Sequence, residues 1–184
     1  GATFWTDGYR DAPMLPQQPP LTRCHGCDHF FWVRDARKEG ELSPWARAEE
    51  RKAAEGAQKV RWLRESEYPE ALAAGLANTP ERERTARTLA WWAANDARRN
   101  HTSPAPRAQE DAARFHDNLE RLLALLDTKD GPSDRLMRAE VLRELGRFEE
   151  ALALLGEELP RNYEHARDVI RAACEARDAN VRRL

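Results

Sequence analysis

The run from Ala139 to Leu155 constrains the fold more than any other stretch of the chain. Apolar residues recur at helical spacing on both sides of Gly146: Ala139 and Leu142 before it, Phe148, Ala151, Leu152 and Leu155 after it. Glycine ends a helix in a left-handed backbone at little steric cost. The run therefore predicts two short helices folded back on each other at Gly146. Phe148 would fill the wedge between them, and Ala151 is small where they approach most closely. One such pair cannot bury both of its faces, so it requires further helices before and after it.

The rest of the chain supplies them. From Ser43 onward the pattern is helical. Ser43-Pro44 reads as a capped start, with a helix running to Gly56. The segment Gln58–Arg64 has no clear type, and a short helix is expected near Pro69–Ala77. Thr79-Pro80 opens a helix through Trp91 and Trp92 to about Arg99. Leu89, Trp92 and Ala93 share one face of it and Trp91 another, which predicts cover on two sides. Asn100–Pro106 has loop composition. Ala112, Phe115, Leu119, Leu122, Leu123 and Leu126 form a 3.6-residue stripe on a helix over Arg107–Asp127. The stretch Lys129–Pro132 breaks it, Ser133 caps the next helix, and Pro160 precedes a last one with Tyr163, Ala166, Ile170, Ala173 and Cys174 facing inward.

Residues 1 to about 42 differ. Pro13, Pro16, Pro19 and Pro20 predict an extended arm over Ala12–Pro20. Leu21–Val33 then reads as a small hairpin, with Cys24–Cys27 at its turn and Phe30, Phe31, Trp32 and Val33 in the return strand. Trp5, Tyr9, Trp32 and Trp45 are expected to pin this region onto the helices. The fold class read from the sequence is thus mainly α. Roughly six or seven helices pack as antiparallel pairs over 43–184, preceded over 1–42 by a proline-rich arm and a hairpin resembling a zinc knuckle.

At 184 residues the chain can hold one substantial core. A net charge of −2 argues against binding nucleic acid or membrane by bulk electrostatics. No apolar run reaches the ~18 residues of a membrane span. Three cysteines are too few for a disulfide framework, and a reducing cytoplasm is the simplest setting.

The stretch Leu145–Leu152 resembles the turn and second-helix start of a tetratricopeptide repeat, with the pair at about 134–160. The likeness departs at Arg135 and Arg138, where the repeat often has apolar residues, and at an early Pro160. An ordinary helical hairpin in a bundle explains the same residues. If the resemblance holds, it implies a groove that docks a protein or peptide, lined by Arg135, Arg138 and Leu142. The phrases Trp5–Tyr9, Pro13–Pro16, Gly75–Ala77 and Trp91–Asp96 are similar to parts of a group of bacterial proteins with no established activity.

Cys24 and Cys27 have the spacing of two thiolates on one tetrahedral zinc ion. Zinc takes four ligands, and His29, His25, His101, His116 and Asp28 are candidates to complete it. A second chain is another source. A degenerate knuckle with plain thiols, or a redox pair, are the other readings. A redox pair normally sits at a helix N-terminus, which this turn lacks. Asp28 stands where a knuckle commonly has Gly, and Asp tolerates that backbone better than most residues. Cys174 reads as a small core residue.

His116 and His165 read as ordinary helix residues. Glu49-Glu50, Glu149-Glu150 and Glu157-Glu158 are adjacent pairs that point apart, the wrong arrangement for paired acid–base work. The expected function is therefore a non-enzymatic adaptor with a protein or peptide partner, a second copy of the chain being one such partner. It would require no cofactor, with zinc as a possibility at Cys24, Cys27 and His29. A zinc-knuckle nucleic-acid module and a thiol-redox enzyme are the alternatives.

Overall fold

The structure is a computed structural model. It describes residues 1–184 apart from 16, 44, 57–58, 100–104, 127–130 and 157, and does not describe the Ala53 side chain. The features read at Pro44, at His101, at residues 129–130 and over most of the Asn100–Pro106 loop fall outside the described residues.

The chain is mainly helical, with two small antiparallel hairpins near its N-terminus. It divides into two compact units. One joins Gly1–Pro16 to Ala77–Leu184, and the other is Gln17–Leu76. The boundary read near residue 42 falls inside the second of these.

The larger unit begins with a hairpin that the sequence reading did not anticipate. Strand β1 (Thr3–Phe4) pairs with β2 (Arg10–Asp11), and the turn between them carries Trp5 to Tyr9. The described helices follow as α3 (Pro80–Asp96), α4 (Gln109–Leu126), α5 (Pro132–Glu144), α6 (Phe148–Leu155) and α7 (Arg161–Glu175), counted along the chain after two helices in the other unit. Thr79 accepts from the Arg82 amide at 3.2 Å with Pro80 behind it, the start expected from this pair. Ser133 does not cap α5; the cap position is Gly131, two residues earlier, and Pro132 takes the first helical position, where its missing N–H costs nothing.

The turn at Gly146 forms as its sequence requires. Gly146 has φ +77°, the Arg147 amide donates to Leu142 O at 2.8 Å, and the Gly146 amide donates to Arg143 O. These two bonds satisfy carbonyls that the end of α5 would otherwise leave open. Arg177 ends α7 the same way with φ +52° and the same two bonds. A side chain there costs about 1–2 kcal/mol of backbone strain. The Arg177 guanidinium lies over the Phe148 ring at 5.2 Å and pairs with Glu149 at 3.0 Å, which offsets part of that cost.

Helix α5 is the centre of this unit and packs against α4, α6 and α7. Ala139 and Ala151 are fully buried. Leu119, Leu122, Leu123 and Leu126 from the expected α4 stripe join Leu142, Phe148, Leu155 and Ile170 in one cluster. Each fully buried Leu contributes about 1.5–3 kcal/mol. On α3 both faces are covered, with Leu89 buried on one and Trp91 on the other. Trp91 is the fully buried tryptophan, and Trp92 is only half-buried.

In the smaller unit β3 (Leu21–Arg23) pairs with β4 (Phe30–Trp32) in the register Leu21–Trp32, as the hairpin reading expected. Helix α1 covers only Ala48–Ala53, and α2 covers Glu67–Ala73. The helix expected from Ser43 does not begin there. The Ser43 hydroxyl instead accepts from the Trp45 amide at 3.1 Å, forming a local turn. The Glu50 carboxylate accepts from the Arg47 amide at 2.9 Å, and this cap sets the start at Ala48. Trp45 is 91 % exposed and pins nothing, whereas Trp5 and Trp32 are buried.

Replacing Leu122 by Ala is expected to cost about 2–5 kcal/mol in denaturant unfolding. Gly146→Ala is expected to cost about 1–2 kcal/mol, from backbone strain alone, since nothing lies within 4 Å of the added methyl.

Candidate functional site

Two clusters bring chemistry-bearing side chains together, one in each unit. The first surrounds the Cys-x-x-Cys turn. The Cys24 amide donates to His29 O at 2.8 Å and the Asp28 amide donates to Cys24 O at 3.0 Å, closing the loop. Asp28 has φ +59°, the backbone for which a Gly is usual. The amides of Gly26 and Cys27 turn inward and donate to Cys24 Sγ, and the Cys27 thiol also reaches it. These contacts hold the Cys24 thiol below its usual pKa. Cys24 is half-buried and Cys27 is exposed.

A buried carboxylate anchors this turn to its unit. Glu67, the first residue of α2, accepts two bonds from Arg61 at 2.7 and 2.6 Å and one from the Arg64 amide at 2.8 Å. Arg23 reaches it at 3.4 Å. The Arg61 bonds hold the Glu67 carboxyl well down, to about 2. Thr22 Oγ1 donates to Arg61 O at 2.8 Å and Trp32 Nε1 donates to Leu76 O at 2.8 Å. A pocket of about 330 Å³ opens beside the turn, between Cys24, His25, Phe31, Lys59 and Val60.

The candidate ligands separate. Cys24 and Cys27 come together. His25 Nε2 lies 3.2 Å from Lys59 O, and His29 is exposed. Among the described residues no group of three or more His, Cys, Asp or Glu is placed to hold a metal. His116 belongs to the other unit, where it faces Glu120 at 3.9 Å. Cys174 is a core residue whose thiol is pushed up to about 11 by burial.

The second cluster was not legible as a site. Asp7, in the Trp5–Tyr9 turn, accepts two bonds from Arg99 at 2.8 and 2.7 Å, one from Asn95 at 3.2 Å and one from the Tyr9 amide at 3.1 Å. Trp92 Nε1 donates to Asp7 O at 2.9 Å. Asn95 also donates to both oxygens of Glu144 at 3.1 Å, and Trp91 Nε1 donates to Glu144 at 3.0 Å. On the same helix, Glu140 one turn before Glu144 and Arg143 next to it are both fully buried and bonded at 2.6 and 2.8 Å. Arg143 also donates to Asp178 O.

Burial pushes the Asp7 carboxyl up to about 6, against the opposing pull of Arg99. Burial and then the Glu140 carboxylate push Glu144 up to about 8. Burial works against the Arg143 charge, but Glu140 outweighs it and the guanidinium is held above its ordinary pKa. Glu144 also borders an open pocket of about 400 Å³ shared with Arg98, Arg107, Phe115, His116 and Asn180. Perturbed carboxyls beside a pocket are candidates for acid–base work. Both Glu144 oxygens already accept from Asn95, however, and Arg107 is held by Asn95 Oδ1 and Ala94 O at 2.9 and 2.7 Å. The cluster orders helix packing with its polar atoms.

On α5, Leu142 lies in the core at 4 % exposure. Arg135 and Arg138 are half-buried, and Arg135 donates to Glu158 O at 3.2 Å. No helix among the described residues is long and apolar enough to cross a membrane. Compared with protein-family models, curated proteins and solved structures, the chain matches none.

The raised carboxyls tie stability to pH. The folded chain keeps protons that the unfolded chain releases, so Asp7 favours folding less as pH climbs from about 4 to 6, and Glu144 less as it climbs to about 8. Glu67 acts in the opposite sense, and its contribution is lost as pH falls towards 2. Denaturant unfolding should therefore show stability declining between pH 5 and 8, and Glu144→Gln should flatten the part above pH 6. Asp7→Ala leaves buried Arg99 with only the exposed Asp96 carboxylate at 3.3 Å as counter-charge and should cost about 3 kcal/mol at pH 7.

Proposed function

We propose that this chain is a non-enzymatic interaction protein that docks a protein partner on the Gln17–Leu76 unit. One observation carries the reading. Along residues 60–63, Arg61 and Leu63 turn inward while Val60 and Trp62 stay exposed, Trp62 at 42 %. Trp45 and Leu42 of the same unit are exposed as well. Large side chains left in water on one small unit are the anchors that protein interfaces use, tryptophan above all.

The chemistry of the partner follows from what borders Val60. Exposed Lys59 lines the pocket together with Phe31 and Val60, beside Arg23, which is paired with Glu67 and Asp28. That arrangement favours a segment presenting a large apolar side chain next to an Asp or Glu. The pair α5–α6 is read as a single tetratricopeptide-like hairpin, supported by the Gly146 turn and the buried Ala139 and Ala151. With Leu142 in the core and Arg135 and Arg138 half-buried, the residues read as a groove on α5 offer less exposed apolar surface than Trp62, Trp45 and Leu42.

Selection from a displayed random-peptide library tests this. The expected result is a consensus of an aromatic or aliphatic residue beside an acidic one. Trp62→Ala should weaken the selected peptide by roughly 30-fold, as for an interface anchor worth about 2 kcal/mol, and Lys59→Glu should also weaken it. Lys59→Glu lies on the surface and should shift stability by no more than about 0.5 kcal/mol, and Trp62→Ala is compared at a temperature where its circular dichroism matches that of the parent chain. Binding unchanged in Trp62→Ala, or a selection with no consensus, overturns the reading.

A further inference from the structure

We propose that the pocket bordered by Glu144 binds a small carboxylic acid with an apolar body, whose carboxylate is held by Arg98 and Arg107. All of its walls belong to the larger unit. Arg98 comes from just after α3, Arg107 from just before α4, Phe115 from α4, Leu145 from the end of α5 and Asn180 from after α7. At about 400 Å³ the space falls within the range of small-ligand pockets.

Both guanidiniums are set at the pocket by contacts with its walls. Arg98 donates to Asn180 Oδ1 at 2.8 Å and to Ala105 O at 3.0 Å. Both acceptors are neutral, so neither cancels the charge. Arg107 donates to Ala94 O and Asn95 Oδ1, and its guanidinium lies 3.8 Å over the Phe115 ring. A guanidinium carries more N–H donors than two such bonds use, in a fork that matches a carboxylate.

The remaining walls narrow the ligand further. Glu144 is the one acid among the described lining residues, and burial pushes it up to about 8, so it is uncharged at neutral pH. Its oxygens already accept from Asn95 and Trp91. The group it has left to offer is its O–H, which an incoming carboxylate can accept. An amine would meet two guanidiniums and no ionised acid in these walls. Phe115, Leu145, Ala112 and Pro106 add apolar surface that a bare phosphate would leave uncovered. A ring or short alkyl chain behind the carboxylate covers it.

The test uses the full chain with benzoate, phenylacetate and hexanoate, each compared with its own amide, at about pH 6, where Glu144 holds its proton. Binding is read from NMR shifts of the Leu145 and Asn180 amides and of the Trp91 indole N–H, which donates to Glu144. The expected result is saturable shifts at these positions, with a Kd on the order of 1 mM or tighter for at least one acid. Its amide should bind roughly 10-fold more weakly. Arg98→Gln should weaken the acid by roughly 10-fold and leave the amide unchanged. Ala179 is an exposed wall residue, so Ala179→Phe fills the space without touching either guanidinium and should block both. Amides that bind as tightly as the acids, or no saturable shift at these positions from any of the three acids, overturn the proposal. So does unchanged affinity in Arg98→Gln or in Ala179→Phe.

Discussion

The larger unit depends on the Asp7 carboxylate meeting Arg99. Asp7 comes from a five-residue turn near the N-terminus and Arg99 from just beyond α3, and local partners meet each only in part, the Tyr9 amide at 3.1 Å for Asp7 and the exposed Asp96 carboxylate at 3.3 Å for Arg99. Burying either charge alone would cost several kcal/mol, so the two are tolerated inside the protein only together. Tyr9 lies 4.2 Å beneath the Arg99 guanidinium and stacks edge-on against Trp92, which shields the pair from water. Asn95 then passes the arrangement on to Glu144, and Trp91 fixes the other side of that carboxyl. An apolar contact in the same place would stabilise packing but would tolerate sliding. A chain of directed bonds with set lengths admits one alignment of α3 against α5, at the cost of stability that pure hydrocarbon would have contributed.

The helical architecture was largely legible, because its signals are local. The Gly146 turn, the Leu stripe of α4 and the Thr79-Pro80 start each rest on residues within one or two turns of one another. The Cys-x-x-Cys hairpin was legible for the same reason. The start of α1 was misread because Ser43 has the right chemistry for a cap but uses it on the Trp45 amide, while Glu50 makes the cap that counts. Trp91 and Trp92 could not be ranked from α3 alone, since adjacent tryptophans differ only in what covers them.

The buried ionic cluster was hidden for a different reason. Charged residues on a helix read as solvated faces, and nothing local says otherwise. Asp7 and Asn95 are 88 residues apart in sequence, so no window along the chain contains both. One signal was available. Glu140 and Arg143 occupy the stripe that Leu136 and Ala139 open on α5, where a core-facing helix should be apolar. Reading that stripe as interrupted, and not as ending, would have placed two charges inside.

Residues 4–6 meet residues 182–184. The Thr6 amide donates to Arg182 O at 2.8 Å, the Leu184 amide donates to Phe4 O at 2.9 Å, and Trp5 faces Arg183 across a single antiparallel bridge. Segments far apart in sequence thus close on each other beside the β1–β2 hairpin. Two labels attached at Thr3 and Arg183 would report on each other at close range, and loss of that proximity would register the earliest fraying of the fold.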